Sequence, residues 1–139
     1  MGKSTVRIGK ASECIVFGAL LQEGIDVYPS LADDQGIDGV IRSKDGQFYW
    51  DLQIKSGSNW NGIRAWTDMA TNRNFILLLF NSEAWEMIWL SPDKMRDLFP
   101  STGGDWGDVF LDKKKVEDLK SKGFMDIPKL KSLIDKGWD

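Results

Sequence analysis

Four side chains carry the chemistry this chain could do: Glu13, Asp38, Gln53 and Lys55. Gln47–Ser56 alternates as a strand, with Phe48, Trp50, Leu52 and Ile54 on one side and Tyr49, Asp51, Gln53 and Lys55 on the other. Gly36–Arg42 reads as the strand before it, and the intervening Ser43-Lys44-Asp45-Gly46 contains an Asp-Gly pair, a strong hairpin signal. With Asp45-Gly46 as a two-residue turn, Lys44 faces Gln47, Asp38 faces Gln53 and Gly36 faces Lys55. Cross-strand partners hold their Cβ atoms about 5 Å apart. Two oxygen ligands at ~2.1 Å from one Mg²⁺ suit that separation. Gly36 and Gly39 flank Asp38 and leave space beside it for a cation, water or phosphate. A polar hairpin face is ordinarily just solvated. Here glycine-bracketed Asp38, Gln53, Lys55 and an acid on the preceding helix occur together.

The composition narrows the chemistry further. The chain has no histidine, which removes Ser-His-Asp triads, HExxH zinc sites and zinc fingers. Acid–base or metal work must then come from carboxylates, amides, lysine, tyrosine or water, and a hard cation on oxygen ligands is the natural candidate. Cys14, the single cysteine, excludes an internal disulfide, and its apolar helical setting predicts a buried, inert thiol. No apolar run approaches the ~20 residues of a membrane span, and Met1–Lys10 lacks the apolar stretch of a secretory signal. A cytoplasmic protein is expected. The net charge of −3 gives no general grip on nucleic acid, but residues 113–139 hold eight lysines against five acids, so that stretch is +3 and the remainder −6. A local basic strip could meet phosphates, and a solvated helix face explains the same pattern. The seven tryptophans are expected mainly as core fillers.

These residues need elements to position them. At 139 residues the chain fits one domain, 1–139. A helix is expected over Ala11–Glu23, started by Ser12 or Ser4 and stopped by Gly24. On it, Glu13 heads a core-facing stripe with Phe17, Leu20 and Leu21, so its carboxylate needs a partner. Ile25–Tyr28 is a short strand ended by Pro29, and Ser30–Gln35 a loop. After the hairpin, Gly57–Gly62 is a loop, Ile63–Thr71 a helix, Phe75–Phe80 a buried strand and Trp85–Leu90 its neighbour. Ser91-Pro92-Asp93 opens a helix that ends before Pro100. Val109–Leu111 is a strand, Asp112 caps a helix to Lys122 that Gly123 stops, and Pro128–Lys136 is a last helix. Asp105, Asp108 and Asp112 lack a full calcium-loop pattern and read as a solvated loop and a cap. The order gives an α/β fold with a mixed sheet flanked by helices.

Glu13 on a helix, Gly36-Ile37-Asp38, then Gln53-Ile54-Lys55-Ser56 resembles the PD-(D/E)xK, or restriction-endonuclease-like, superfamily. It is most similar to the branch, Mrr-type enzymes included, in which glutamine replaces the second acid. Ile37 stands where that pattern has proline. The resemblance implies an α-β-β-β-α-β core over about residues 9–90, with extra C-terminal helices over about 91–139. It also implies Mg²⁺-dependent hydrolysis of phosphodiester bonds, of DNA in the first instance, with Mn²⁺ as a substitute. Asp38 would be the main metal ligand, with the Gln53 side-chain oxygen and the Ile54 carbonyl beside it and Glu13 binding directly or through water. Lys55 would orient the attacking water or offset charge on the phosphorane. Asp51 either restores negative charge near Gln53 or pairs with Arg42 or Lys55. Ser56, Asn59, Trp60 and Arg64, leading out of the site, are the expected substrate contacts; as a bland alternative, they are a capped loop with Trp60 as a lid. Small domains of this family often dimerise to cut two strands. The competing expectation is a nucleic-acid-binding or protein-interaction module that kept the fold without efficient catalysis.

Overall fold

A computed structural model describes residues 5–31, 36–65, 74–98 and 107–136, with backbone alone for 5–6, 61–65 and 107–110. Its elements are α1 (Thr5–Gln22), β1 (Asp26–Pro29), β2 (Gly39–Arg42), β3 (Tyr49–Gly57), β4 (Asn61–Ala65), β5 (Phe75–Asn81), β6 (Glu86–Leu90), α2 (Pro92–Leu98), β7 (Gly107–Phe110), α3 (Lys113–Ser121) and α4 (Ile127–Lys136). Five strands form one mixed sheet in the order β1-β2-β3-β5-β6, and β4 pairs with β7 in a separate two-stranded ribbon. Among the described residues only the β3–β5 pair is parallel; β1–β2, β2–β3 and β5–β6 are antiparallel. The fold is α/β, as the order of elements in the sequence implies.

β3 and β5 sit in the middle of the sheet, and every residue of β5 is buried, as expected for a strand covered on both faces. On one face, Val16 and Leu20 of α1 and Leu130 and Ile134 of α4 pack on Trp50, Leu52, Ile54, Ile76, Leu78 and Phe80. On the other, Met95 of α2 and Leu119 of α3 pack on Phe75, Leu77, Leu79, Ile88 and Leu90. Burying one such leucine or isoleucine side chain contributes about 1.5–3 kcal/mol, so these two layers fix the strand whose residues carry the site.

Several local expectations hold. Gly24 at φ 78° ends α1, with the Ile25 amide donating to Leu20 O and the Gly24 amide to Leu21 O, a Schellman closure. Ser91 Oγ accepts from Lys94 N at the head of α2, and Asp112 caps α3 by accepting from Lys115 N at 2.8 Å.

Others are corrected. α1 starts at Thr5, so Ser4 and not Ser12 is the residue before it. Its core stripe is Ser12, Val16 and Leu20, spaced by four, while Leu21 is 57% exposed and Glu13 lies at the margin. Cys14, on the outer side, is exposed rather than buried. Residues 61–65 form strand β4, not the start of a helix, because β7, far along the chain, supplies a pairing partner; residues 66–73 lie outside the described residues. Trp50 and Trp89 are core, at 1% exposure, whereas Trp85 is 64% exposed.

Candidate active site at the open end of a hairpin

β2 and β3 are in the register expected from the sequence, with Gly39 opposite Leu52, Ile41 opposite Trp50 and Arg42 opposite Tyr49. The turn differs. Ser43 N donates to Phe48 O and Gly46 N to Ser43 O, so the loop spans four residues, Lys44–Gln47, instead of two. Opening one further pair at the tip adds a residue to each side and leaves the register below it unchanged.

The ladder stops at Gly39–Leu52, and there the expected geometry is altered. Asp38 N donates to Leu52 O at 2.8 Å, the carbonyl of Gly39's own partner, so the pairing slips by one residue in the manner of a β-bulge. Asp38 therefore does not sit squarely opposite Gln53. Its carboxylate Oδ2 instead accepts from Ile54 N at 2.6 Å, and the side chain is buried with 7% exposure. By the two-residue period of strand hydrogen bonding, the Ile54 carbonyl points toward the same edge as its amide. Asp38 and the Ile54 peptide thus share the notch left where β2 ends. Gly39 does not open space for a cation: a side chain there would meet Tyr28 O at 2.9 Å and the Phe17 ring at 3.2 Å, so the missing Cβ lets α1 and β1 close on β2.

Gln53 is completely buried, lies beside Leu77 of β5, and donates from Nε2 to Gly36 O at 3.1 Å. That bond leaves its side-chain oxygen as the acceptor atom. Lys55, next to Leu79 and half-buried, lines a cleft of about 290 Å³ together with Ile8, Gly9, Glu13, Ile54 and Ser56. Ile8 and Gly9 enter this wall because α1 begins at Thr5, a start that Ser4 would have signalled. Glu13, 17% exposed, accepts from Lys10 Nζ at 3.1 Å. Arg42 forms its ion pair with Asp26 at 3.9 Å, beside the Tyr49 hydroxyl that raises the guanidinium's pKa.

The four residues fall into two linked groups. Glu13 and Lys55 line the same cleft, Asp38 and Gln53 are held at the strand edge, and Ile54 belongs to both. All the available donors are oxygens, which suits a hard divalent cation. Among the described residues no three His, Cys, Asp or Glu side chains gather into one metal-holding group. A cation here would lean on the Gln53 and Ile54 oxygens as well as on carboxylates.

The expected substrate residues separate. Ser56 borders the cleft of Lys55. Asn59 and Trp60 line a different cleft of about 390 Å³ between β6 and α3, with Leu111, Val116 and Met125 as its apolar floor. Arg64 lies on β4 in register with Asp108 of β7, its side chain outside the described residues. Residues 61–65 pair with β7 in the two-stranded ribbon, outside the sheet that holds Lys55.

No protein-family model matches the chain, and no curated protein is similar in sequence. Among solved structures it is similar to a bacterial homing endonuclease, I-Ssp6803I, with a TM-score of 0.60 and 19% identity over 99% of this chain and 95% of that one. The chain shares that protein's fold over essentially its whole described length. No helix among the described residues is long and apolar enough to cross a membrane.

Proposed function

We propose that the chain is a divalent-metal-dependent nuclease of the PD-(D/E)xK type that hydrolyses phosphodiester bonds of DNA, in the cytoplasm, with the Gln-x-Lys form of the motif. One observation carries this reading. A buried carboxylate, Asp38, sits on the Ile54 peptide at the open strand edge, and the next residue, Lys55, shares a cleft with Glu13. The fold shared with a homing endonuclease supports it.

In this reading Asp38, the Gln53 oxygen and the Ile54 carbonyl would hold Mg²⁺, or Mn²⁺ in its place, and Glu13 would add a ligand directly or through water. The bound ion would polarise a phosphoryl oxygen and lower the pKa of a water. Lys55 would orient the attacking water or offset charge on the phosphorane. Ser56, which lines the same cleft, would donate to a phosphate oxygen. As a homodimer, two such sites would cut two strands.

The polar groups also satisfy one another without a cation: Gln53 is bonded to Gly36 O and Glu13 is paired with Lys10. This observation favours a second reading, a nucleic-acid-binding or interaction module with little catalysis. The two separate in one assay. The purified protein is incubated with plasmid, single-stranded DNA and RNA, each with Mg²⁺, Mn²⁺ or EDTA. Metal-dependent cleavage lost in Asp38→Asn and Lys55→Ala is the expected result. Binding that ignores EDTA, with no cleavage of any substrate, supports the second reading, and cleavage that survives both substitutions overturns the site.

A further inference from the structure

The turn between β5 and β6 carries a side chain that the fold does not use for its core. Trp85 is 64% exposed and has φ 59°, the one described non-glycine residue in the left-handed region. For a bulky residue that backbone costs on the order of 1–3 kcal/mol and persists only where its surroundings impose it. The turn imposes it here. Asn81 Oδ1 accepts from Glu83 N at 3.1 Å and Ala84 N at 3.0 Å, and Ser82 donates from both N and Oγ to Gly57 O at 2.9 and 3.2 Å. Gly57 directly follows Ser56 on the site strand, so the turn is tied to the cleft wall.

The ring also has an aromatic neighbour. It stands edge-on to Phe80, with centroids 5.3 Å apart and planes at 79°, and Phe80 is the register partner of Ser56. Adjacent strands lie about 4.8 Å apart, so Trp85 packs on the strand neighbour of Ser56, a residue that lines the Glu13–Lys55 cleft. Its free face is open to water. We infer that Trp85 is a stacking platform that positions an unpaired base of a nucleic acid whose backbone enters the Glu13–Lys55–Ser56 cleft. This rests on the nuclease reading above.

The chemistry of the turn selects that occupant. Glu83, exposed two residues away, disfavours a phosphate at the ring itself, whereas Lys55 in the cleft offers the backbone a cation. Self-association is a poor match: one aromatic side chain offers about 150–250 Å², whereas a stable interface buries roughly 1,200–2,000 Å². A base face needs only one ring, and every base has one.

The test measures binding in EDTA, so it does not depend on cleavage. Labelled mixed-sequence DNA is offered as a single strand, as a duplex with one unpaired base, and as a full duplex, to the wild type, Trp85→Ala and Trp85→Phe. The expected result is a roughly 10-fold or greater loss of affinity in Trp85→Ala for the first two substrates, recovered in large part by Trp85→Phe, with full-duplex binding unchanged. Equal affinities for wild type and Trp85→Ala, or an equal loss on all three substrates, overturn the inference and leave the nuclease reading intact. A change in oligomeric state with affinity unchanged overturns it in favour of a protein interface. A wild type that neither binds nor cleaves any of these overturns both. Trp85→Gly, which relaxes the backbone, keeps the test valid if the alanine variant folds poorly: it should match Trp85→Ala in affinity.

Discussion

The two ends of the β2–β3 hairpin use the same device and put it to different use. At the closed end, Asp45 Oδ1 accepts from Gln47 N at 3.0 Å and from Ser43 Oγ at 2.8 Å. Those bonds, the Gln47 amide foremost, hold its carboxyl below the ordinary carboxylate range. At the open end, Asp38 Oδ2 accepts from Ile54 N at 2.6 Å. Asp45 is exposed and Asp38 is buried. An aspartate bonded to a backbone amide in water closes a turn and does little else. The same group at a strand edge whose neighbour has ended is desolvated, stands beside a peptide with a carbonyl on the same edge, and has Lys55 one residue further on. Burial and company, not the hydrogen bond, make one of these a candidate for chemistry.

The largest effect that could break this comparison is at Asp38. Asp38→Asn keeps an oxygen for Ile54 N but removes the charge. Cleavage should fall at least ~100-fold, equivalent to about 2.7 kcal/mol of barrier, while the melting temperature changes little. Asp38→Ala should also leave the Ile54 amide unpaired and cost roughly 1–3 kcal/mol of stability, read as a lower urea midpoint. If Asp38→Asn cleaves at the wild-type rate, Asp38 joins Asp45 as a structural cap. Lys55→Ala should lower cleavage by ~100-fold with stability nearly unchanged, since the side chain is half-buried at the cleft. A loss of stability without a loss of rate would reassign it to packing.

Gln53 sharpens the open end. Gln53→Glu removes the donor to Gly36 O at a wholly buried position, so without metal the variant should melt lower than the wild type. Added Mg²⁺ should then raise its melting temperature more than that of the wild type, because a carboxylate ligand binds the ion more tightly and binding to the folded state stabilises it. An equal response to Mg²⁺ in the two proteins would remove Gln53 from the ligand set.

The same comparison shows which features could be read from the sequence. The alternation of residues 47–56 placed Trp50, Leu52 and Ile54 on one face and Gln53 and Lys55 on the other, because a strand has a period of two whatever its partners do. The register survived a wrong turn length because a four-residue loop in place of two leaves the pairs below it unchanged. The slip at Asp38 was not legible. It depends on β2 ending at Gly39, where Phe17 and Tyr28 close in, and that is a contact among three elements. β4 was hidden for the same reason, since its partner β7 lies far along the chain. In α1 the apolar run Cys14–Leu21 gave the helix, but only the docking of Val16 and Leu20 decided that Cys14 and Leu21 face outward. The positive φ of Trp85 has no sequence signal at all, because tryptophan is among the residues least suited to it.

The smallest predicted effect tests the closed end. The depressed Asp45 carboxyl contributes stability that is fully present above its unfolded pKa, near 4, and is lost as the pH falls through the lower folded value. Asp45→Asn retains an acceptor oxygen and removes only the charge. Its melting temperature should sit slightly below that of the wild type at pH 7, and the gap should close at pH values where the wild-type carboxyl is itself protonated. Cleavage should be unchanged at neutral pH, since Asp45 lies at the far end of the strands from Lys55. A gap that widens on acidification would contradict the direction of the shift. A fall in cleavage comparable to that of Asp38→Asn would mean that the hairpin acts as one rigid unit, and that its two aspartates cannot be assigned separate roles.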